Sequence, residues 1–361
     1  MNKLQLGILC GGRSAEHEIS LISAQNLLRY IDPQRYDTHL IGITKEGKWL
    51  YRPDNALIEK PANASMPRLR SDAHEVVLAP GGHLLSRQQP LSITLDVVFP
   101  ILHGPMGEDG AIQGYLKVVD LPFVGPDVLG AAVGMDKDVM KRLLREAGLP
   151  IGAYRTLYAE EEIPSWNEIV DQLGSPVFVK PANLGSSVGI SKVYDASQWT
   201  TAVQMAFDYD RKVVVEALIE GFEVECAVLG NAHPRASIAG ELTVEADYYD
   251  FETKYLNKSR TKLHIPARVD DATMERIRQL ALKAYRVLQC EGMGRVDIFV
   301  TPENKLYVNE INTIPGFTDM SMYPMLWRHE GLPTDQLIDE LIRLAFERHR
   351  RQKQYLLQVR S

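Results

Sequence analysis

Two short runs late in the chain, Arg295 to Val300 and Leu306 to Asn312, are rich in Val, Ile, Phe and Tyr, and only Thr301-Pro302-Glu303-Asn304-Lys305 separates them. That pattern predicts a β-hairpin. With Glu303-Asn304 as a tight turn, Asn supplies the positive φ such turns need. Arg295 then faces Asn312, Asp297 faces Glu310, and Phe299 faces Val308. Strand side chains alternate, so a guanidinium, two carboxylates and an amide project from one sheet face. Opposed carboxylates repel unless a hard cation lies between them, and Mg²⁺ carrying nucleotide phosphates suits such oxygen donors. For an isolated hairpin, a solvated face with a cross-strand ion pair would be the better reading. The rest of the chain raises the functional one.

At 361 residues the chain exceeds one ordinary core and predicts two or three domains. Its 45% hydrophobic and 24% charged residues are those of a soluble globular protein. A net charge of −7 argues against nucleic acid or an anionic membrane as main partner. Arg348, Arg350, Arg351 and Lys353 follow the apolar stripe Leu337, Leu341, Leu344 and Ala345, and read as a helix C-terminus complementing its dipole. Cys10, Cys226 and Cys290 are widely spaced among apolar neighbours, the pattern of buried thiols in a reducing compartment. The start of the chain lacks a signal-peptide pattern. No stretch approaches the ~18 apolar residues of a membrane span. The expected location is the cytoplasm.

Leu4 to Leu9 reads as a buried strand, followed by Gly11-Gly12 and a helix with Ser14 as N-cap and Ile19, Ile22, Ala24 and Leu27 as its stripe. Strand, glycine turn and helix open an α/β sheet of the Rossmann-like kind, in which ligands bind beyond the strand C-termini. A second strand, Asp96 to Leu102, leads into His103-Gly104-Pro105-Met106-Gly107-Glu108-Asp109-Gly110, and residues 52–93 between the two read as a long decorated connection. Asp136 to Ala147 is a helix capped by Asp136, with Val139, Leu143 and Ala147 as its stripe and Gly148 after its end. Strands at Val177–Val179 and Val213–Val215 and a helix at Ala272–Leu288 follow.

Gly42 to Lys48 imitates a phosphate-binding P-loop, but Trp49 stands where a hydroxyl must reach Mg²⁺, so Glu46-Gly47 is read as a hairpin turn. The better nucleotide segment is Val179-Lys180-Pro181 followed by Gly185-Ser186-Ser187-Val188-Gly189. A strand delivers a lysine, and a loop of small residues presents N–H groups to phosphate. An ordinary flexible hairpin is an equal alternative for that segment alone. Glu216 and Glu223 lie at or just beyond strand ends, where carboxylates bind ribose hydroxyls or an adenine amine, although either alone would suit a solvated surface. Lys137 at a helix N-terminus opposes the dipole and fits a phosphate held there, though Asp136 and Asp138 explain it equally well.

Taken in order, seven segments resemble the ATP-grasp carboxylate–amine ligases and, among them, the D-alanine–D-alanine ligase family in its longer bacterial form. They are GGRSAEHEIS at 11–20, HGPMGEDG at 103–110, MDKDVMKRLL at 135–144, VKPANLGSSVGISKV at 179–193, YDFETKY at 249–255, GRVDIFV at 294–300 and NEINTIPGFTDMSMYP at 309–324. The resemblance spans about Gly7 to Leu344. It implies an α/β (α+β overall) chain: an N-terminal Rossmann-like domain (1–135), then a two-part ATP-grasp fold (136–228 and 229–361).

By motif match, Lys137, Lys180, Glu216 and Glu223 would bind ATP, with Gly185, Ser186, Ser187 and Lys254 at its phosphates. Asp297, Glu310 and Asn312 would hold Mg²⁺ or Mn²⁺, as two ions. Glu16 would take the ammonium of the first D-alanine, with His103 nearby, and Ser321 with the adjacent Met322 backbone would take the carboxylate of the second. Ser186, Tyr255 and Glu16 would link the two substrates, and Arg295 with the Gly316 N–H would face the oxyanion. The segment 247–262 would close as a lid. The implied partners are D-alanine and ATP, within a homodimer. Met320-Ser321-Met322 departs from the His-Ser-Leu-like triplet of shorter forms but keeps the serine. Two rivals stand beside this reading. One is a ligase of the same fold joining D-alanine to D-lactate or D-serine, against which Lys254-Tyr255 argues. The other is a non-catalytic nucleotide-binding module, which should have lost the metal carboxylates or Arg295.

Overall fold

The computed structural model describes residues 3–61, 66–86, 88, 90–185, 188–244 and 261–355. Strand β1 (Leu4–Gly11) is covered on both faces, with Leu6, Ile8, Leu9 and Cys10 fully buried. That is why its sequence is a continuous apolar run. It pairs in parallel with β2 (Tyr36–Ile43) and β9 (Val97–Pro100). Between them lie β3 (Trp49–Tyr51), the small pair β4 (Ile58–Glu59) and β5 (Arg68–Leu69), β6 (His74–Ala79), β7 (His83–Ser86) and β8 (Ile93–Thr94). The first sheet has seven strands in the order β8-β7-β6-β3-β2-β1-β9. The segment expected as a decorated connection therefore extends the sheet: Val76 and Leu78 alternate inward along β6, and Gly81 and Gly82, both at positive φ, turn the chain into β7. The P-loop imitation is a hairpin, with Gly47 at φ 91° joining β2 to β3.

Helix α1 (His17–Tyr30) starts later than its sequence suggested. Ser14 does not cap it; its Oγ accepts the Glu16 N–H at 3.0 Å in the preceding turn, leaving Glu16 at the helix mouth. After β9 come α2 (Ala111–Val118), α3 (Val128–Met135) and α4 (Lys137–Glu146). The Asp136 carboxylate caps α4 by accepting from Asp138 N at 3.1 Å and Val139 N at 3.0 Å. The buried face of α4 is Lys137, Met140, Lys141 and Leu144, not the expected stripe, since Leu143 is exposed. Counting apolar residues misorients a helix whose inward face carries lysines.

The second sheet, in the order β10-β13-β11-β12, comprises β10 (Tyr154–Tyr158), β11 (Val177–Pro181), β12 (Ser191–Val193) and β13 (Lys212–Ala217). Helices α5 (Trp166–Leu173) and α6 (Ala196–Phe207) bury Ile169, Trp199 and Val203 against its valines. The third sheet, in the order β16-β15-β14-β17-β18, comprises β14 (Phe222–Gly230), β15 (Arg235–Val244), β16 (Thr261–His264), β17 (Gly292–Val300) and β18 (Leu306–Asn312). Against it packs α7 (Asp271–Val287), through Ile277, Ala281 and Ala284. Helices α8 (Met322–His329) and α9 (Thr334–Lys353) close the chain, and Leu337, Leu341 and Leu344 of α9 share a core with Leu6 and Ile8 of β1. Arg348, read from sequence as a dipole-complementing surface charge, is instead buried under that helix. It donates to the carbonyls of Gly125 and Phe123.

The hairpin β17–β18 has the anticipated register where it matters, Arg295 opposite Asn312 and Asp297 opposite Glu310. Beyond Asp297 the register slips by one residue, so Phe299 faces Tyr307 and Ile298 faces Val308. Asn309 occupies the gap as a β-bulge, and the turn runs through the whole Thr301–Lys305 segment with Asn304 at φ 57°. The bulge compensates for the longer turn. No helix among the described residues is long and apolar enough to cross a membrane.

Asp136 also holds Lys212 Nζ at 2.6 Å, so Asp136→Ala removes both a cap and an ion pair. We expect a loss of about 1–2 kcal/mol in urea unfolding; an unchanged midpoint would show that α4 does not depend on its cap.

Candidate active site

Three carboxylates stand in a row across adjacent strands: Glu225 on β14 opposite Asp297 on β17, and Asp297 opposite Glu310 on β18. The next row is Ala227, Arg295 and Asn312. Arg295 reaches along its own strand, with Nε donating to Asp297 Oδ1 at 2.7 Å and Nη2 to Oδ2 at 2.6 Å. Burial drives the Asp297 carboxyl well above the usual range; Arg295 opposes that shift, and Glu225 and Glu223 add to it. Glu223, two residues before Glu225, accepts from the bulged Asn309 Nδ2 at 2.7 Å. Its carboxyl is raised by burial and by Glu310 and Glu225, against the Asn309 hydrogen bond. Negative charge thus outweighs what Arg295 can neutralise on this face.

The oxygen donors of Asp297, Glu310 and Asn312, on neighbouring strands, suit a hard divalent cation. Among the described residues, no three or more His, Cys, Asp or Glu already form a metal cage. The fit rests on this excess charge and on the donor type.

Across from the row, α4 and the second sheet supply cations. Lys137 Nζ donates to Leu184 O at 2.7 Å and lies 3.4 Å from Glu310 Oε2. Lys180 Nζ lies 2.7 Å from Glu216 Oε2, and Lys141 Nζ lies 3.0 Å from the other oxygen, Oε1. Burial pushes the Glu216 carboxyl up, but the two lysines outweigh it and hold it at about 2. Burial likewise lowers Lys180, and Glu216 and Glu310 more than restore its charge. Lys141, only 2% exposed, was not foreseen from sequence; its signal was its position one turn after Lys137.

A cleft opens beside these groups. It brings together Glu16, His103, Lys137, Gly185, Arg295, Glu310, Asn312, Gly316, Ser321 and Met322. Lys180, Glu216, Glu223 and Asp297 do not line it; Glu216 and Asp297 are buried, Lys180 and Glu223 half-buried, and Asp297 joins the cleft through Arg295. Two glycines admit the Glu16 carboxylate. A Cβ at Gly104 would stand 2.7 Å from Glu16 Oε2, and one at Gly185 would stand 3.0 Å from it. On the opposite wall, Ser321 precedes α8 and its Oγ accepts from Thr318 N at 2.8 Å. A Cβ on Gly316 would come 2.9 Å from that Oγ, so any larger residue would require the Ser321 hydroxyl to shift. His103 Nε2 lies 3.1 Å from Ser23 Oγ. Ser186, Ser187, Lys254, Tyr255 and the lid segment through Arg260 lie outside the described residues.

Glu108, buried in the His103–Gly110 loop, also escaped the sequence reading. Its carboxylate accepts from Gly104 N at 2.7 Å and Ile314 N at 3.3 Å, joining the N-terminal loop to the segment after β18. Burial, and then the Glu16 charge, push it up to about 8.

The chain as a whole is similar to known proteins. The family model described as D-ala D-ala ligase N-terminus matches residues 5–126, and that described as D-ala D-ala ligase C-terminus matches residues 143–343. D-alanine–D-alanine ligase A of Escherichia coli O6:H1 is 50% identical over 355 residues, 97% of each chain. The D-alanine–D-alanine ligase of Shouchella clausii is 46% identical over 359 residues, 98% of each chain. The solved D-alanine-D-alanine ligase from Coxiella burnetii superposes with a TM-score of 0.85 at 37% identity, covering 98% of this chain and 97% of its own. The VanG D-Ala:D-Ser ligase from Enterococcus faecalis superposes with a TM-score of 0.82 at 35% identity, covering 95% and 100%.

The Glu108 shift has a sign that can be measured. A carboxyl ionising near its ordinary value in the unfolded chain but near 8 in the folded protein keeps its proton in the folded state between those values. Stability contributed by this group should fall as pH rises from about 5 to about 8, by up to roughly 1 kcal/mol per pH unit, and then level off. Glu108→Gln should lack that slope in urea unfolding; parallel curves for the two proteins would contradict the shift.

Proposed function

The chain belongs to the D-alanine–D-alanine ligase family, and on that premise we propose that it uses ATP to join two D-alanine molecules into D-alanyl-D-alanine for peptidoglycan precursors. One observation carries the reading: the row holding Asp297 and Glu310 adjoins Arg295 and Lys137 in the cleft that also receives Glu16 and Ser321. We read 1–135 as the N-terminal domain and 136–228 and 229–361 as the two parts of the ATP-grasp, although β14 (Phe222–Gly230) pairs within the third sheet and so moves the seam between the last two to before Phe222. Three free, buried thiols support a cytoplasmic location, and the homodimer is carried over from the family resemblance alone.

A carboxylate resists attack by an amine, so activation comes first. The carboxylate of the first D-alanine attacks the γ-phosphorus of ATP, ADP leaves, and a D-alanyl phosphate forms. Asp297, Glu310 and Asn312 would hold two Mg²⁺ or Mn²⁺ ions, whose positive charge offsets that of the crowded phosphates. Lys137 and Lys180 point-charge the phosphates alongside the Gly185 loop, with Ser186, Ser187 and Lys254 assigned there from sequence. Glu216 and Glu223 serve the nucleoside end. Glu16 holds the ammonium of the first D-alanine, with His103 at its side. Ser321 and the Met322 N–H, opening α8, hold the carboxylate of the second, as a helix N-terminus suits an anion.

The second amine, its proton lost through Ser186, Tyr255 and Glu16, attacks the acyl carbon. The oxyanion faces Arg295 and the Gly316 N–H. Phosphate then leaves.

Likeness to a D-Ala:D-Ser ligase supports D-serine as the competing second substrate. ADP release with D-alanine alone, then with D-lactate or D-serine added, tests the choice. We expect full turnover with D-alanine alone and only dipeptide by mass spectrometry; a depsipeptide or D-alanyl-D-serine as main product would overturn it.

Glu310→Gln should abolish ligation while the unliganded protein still folds cooperatively, because Glu310 is partly exposed and Gln keeps its shape. Wild-type turnover in the folded variant would refute the assignment. Arg295→Lys loses a planar fork of donors, so kcat should fall ~100-fold with a smaller change in the KM for ATP. A rise confined to that KM would make Arg295 a phosphate ligand instead.

A further inference from the structure

Arg295 has two carboxylate neighbours but engages one. Its Nε and Nη2 both donate to Asp297, at 2.7 and 2.6 Å. Glu225 Oε2, on the adjacent strand directly across from Asp297, lies 3.1 Å from the same Nε. That oxygen is buried and makes no hydrogen bond among the described residues, because the Nε–H is directed at Asp297. A buried carboxylate oxygen without a donor is costly and calls for a reason. The proposed reaction supplies one. Asp297 oxygens that ligate a divalent cation become weaker acceptors for the guanidinium, because the cation draws on the same negative charge and repels Arg295. A guanidinium released beside that cation would be repelled unless another anion held it.

We propose that Glu225 is a positioning residue that takes over Arg295 when Asp297 turns to the metal, keeping the guanidinium aimed at the oxyanion. The inference rests on the reading of Asp297 as a metal ligand. The exchange needs little movement: both acceptors already surround Nε, and Glu225 and Arg295 are each only 11% exposed in their side chains. Strand pairing holds the three residues in register, Glu225 opposite Asp297 and Ala227 opposite Arg295. The small Ala227 side chain leaves the space beside Arg295 open to the Glu225 carboxylate. Glu225 thus belongs to the carboxylate row without needing to touch the ion.

Mn²⁺ binding in the presence of saturating ADP, followed by the electron paramagnetic resonance of free Mn²⁺, reads the exchange without turnover. Glu225→Gln, of nearly the same shape, should weaken Mn²⁺ binding about tenfold or more, because Arg295 then stays on Asp297. kcat should fall about tenfold or more, with the KM for D-alanine within about twofold. In an Arg295→Met background the same substitution should leave Mn²⁺ affinity unchanged, since no guanidinium remains to be placed. Glu225→Asp, which keeps the charge with a shorter reach, should fall between wild type and Glu225→Gln. An equal loss of Mn²⁺ affinity with and without Arg295 would make Glu225 a metal ligand and overturn the proposal. So would wild-type Mn²⁺ affinity and kcat in Glu225→Gln. Asp297→Asn separates the two readings. If it loses Mn²⁺ while Glu225→Gln does not, only the exchange fails. If it binds Mn²⁺ normally, the metal reading fails and the exchange with it.

Discussion

Paired opposite charge, most of it between elements, is the constraint on which the site depends. Glu216, Asp297 and Glu310 each lie against a cation: Lys141 and Lys180 for the first, Arg295 for the second, Lys137 for the third. Removing one partner of such a pair strands a charge in a poorly solvated place and costs more than the pair contributes. The pairs therefore hold α4, the second sheet and the third sheet in one relation. They also place cations where a nucleotide's phosphates would arrive.

The N-terminal sheet joins this frame through steric allowance more than through charge. Gly104 and Gly185 leave space around the Glu16 carboxylate, and Gly316 leaves space for Ser321. Glu108 then accepts backbone N–H groups from both Gly104 and Ile314. Loops from opposite ends of the chain are thereby held face to face. At the far side, Arg348 of α9 donates to the carbonyls of Gly125 and Phe123, tying the last helix to the segment after β9. Both ends of the chain thus contribute to the base of the cleft.

Some of this was legible in the residues. The pairing of Asp297 with Glu310 followed from strand alternation, and the strands at Val177 and Val213 from short valine runs bounded by turn residues. Other features followed rules that alternation does not carry. The Asn309 bulge shifted the far half of the hairpin without disturbing the site half. The inward face of α4 was misjudged because its stripe includes two lysines whose partners, Glu310 and Glu216, lie far along the chain. Residues 52–93 added β6 and β7 to the edge of the first sheet, which the scattered Pro, Gly and polar residues of that stretch concealed.

The sequence by itself determined the type of several elements around the site, the hairpin register there, and the chemical identity of most of the cleft: one guanidinium, lysines, carboxylates and a serine in recognisable motifs. Those depend on local patterns, a period of two or of 3.6 and the conformational freedom of glycine. Only the tertiary structure decided that Lys141 and Glu225 belong to the site, that Glu108 bridges two loops, and that Arg295 now rests on Asp297. Burial, field and hydrogen-bond direction arise mostly between segments far apart in the chain, and no local pattern encodes them.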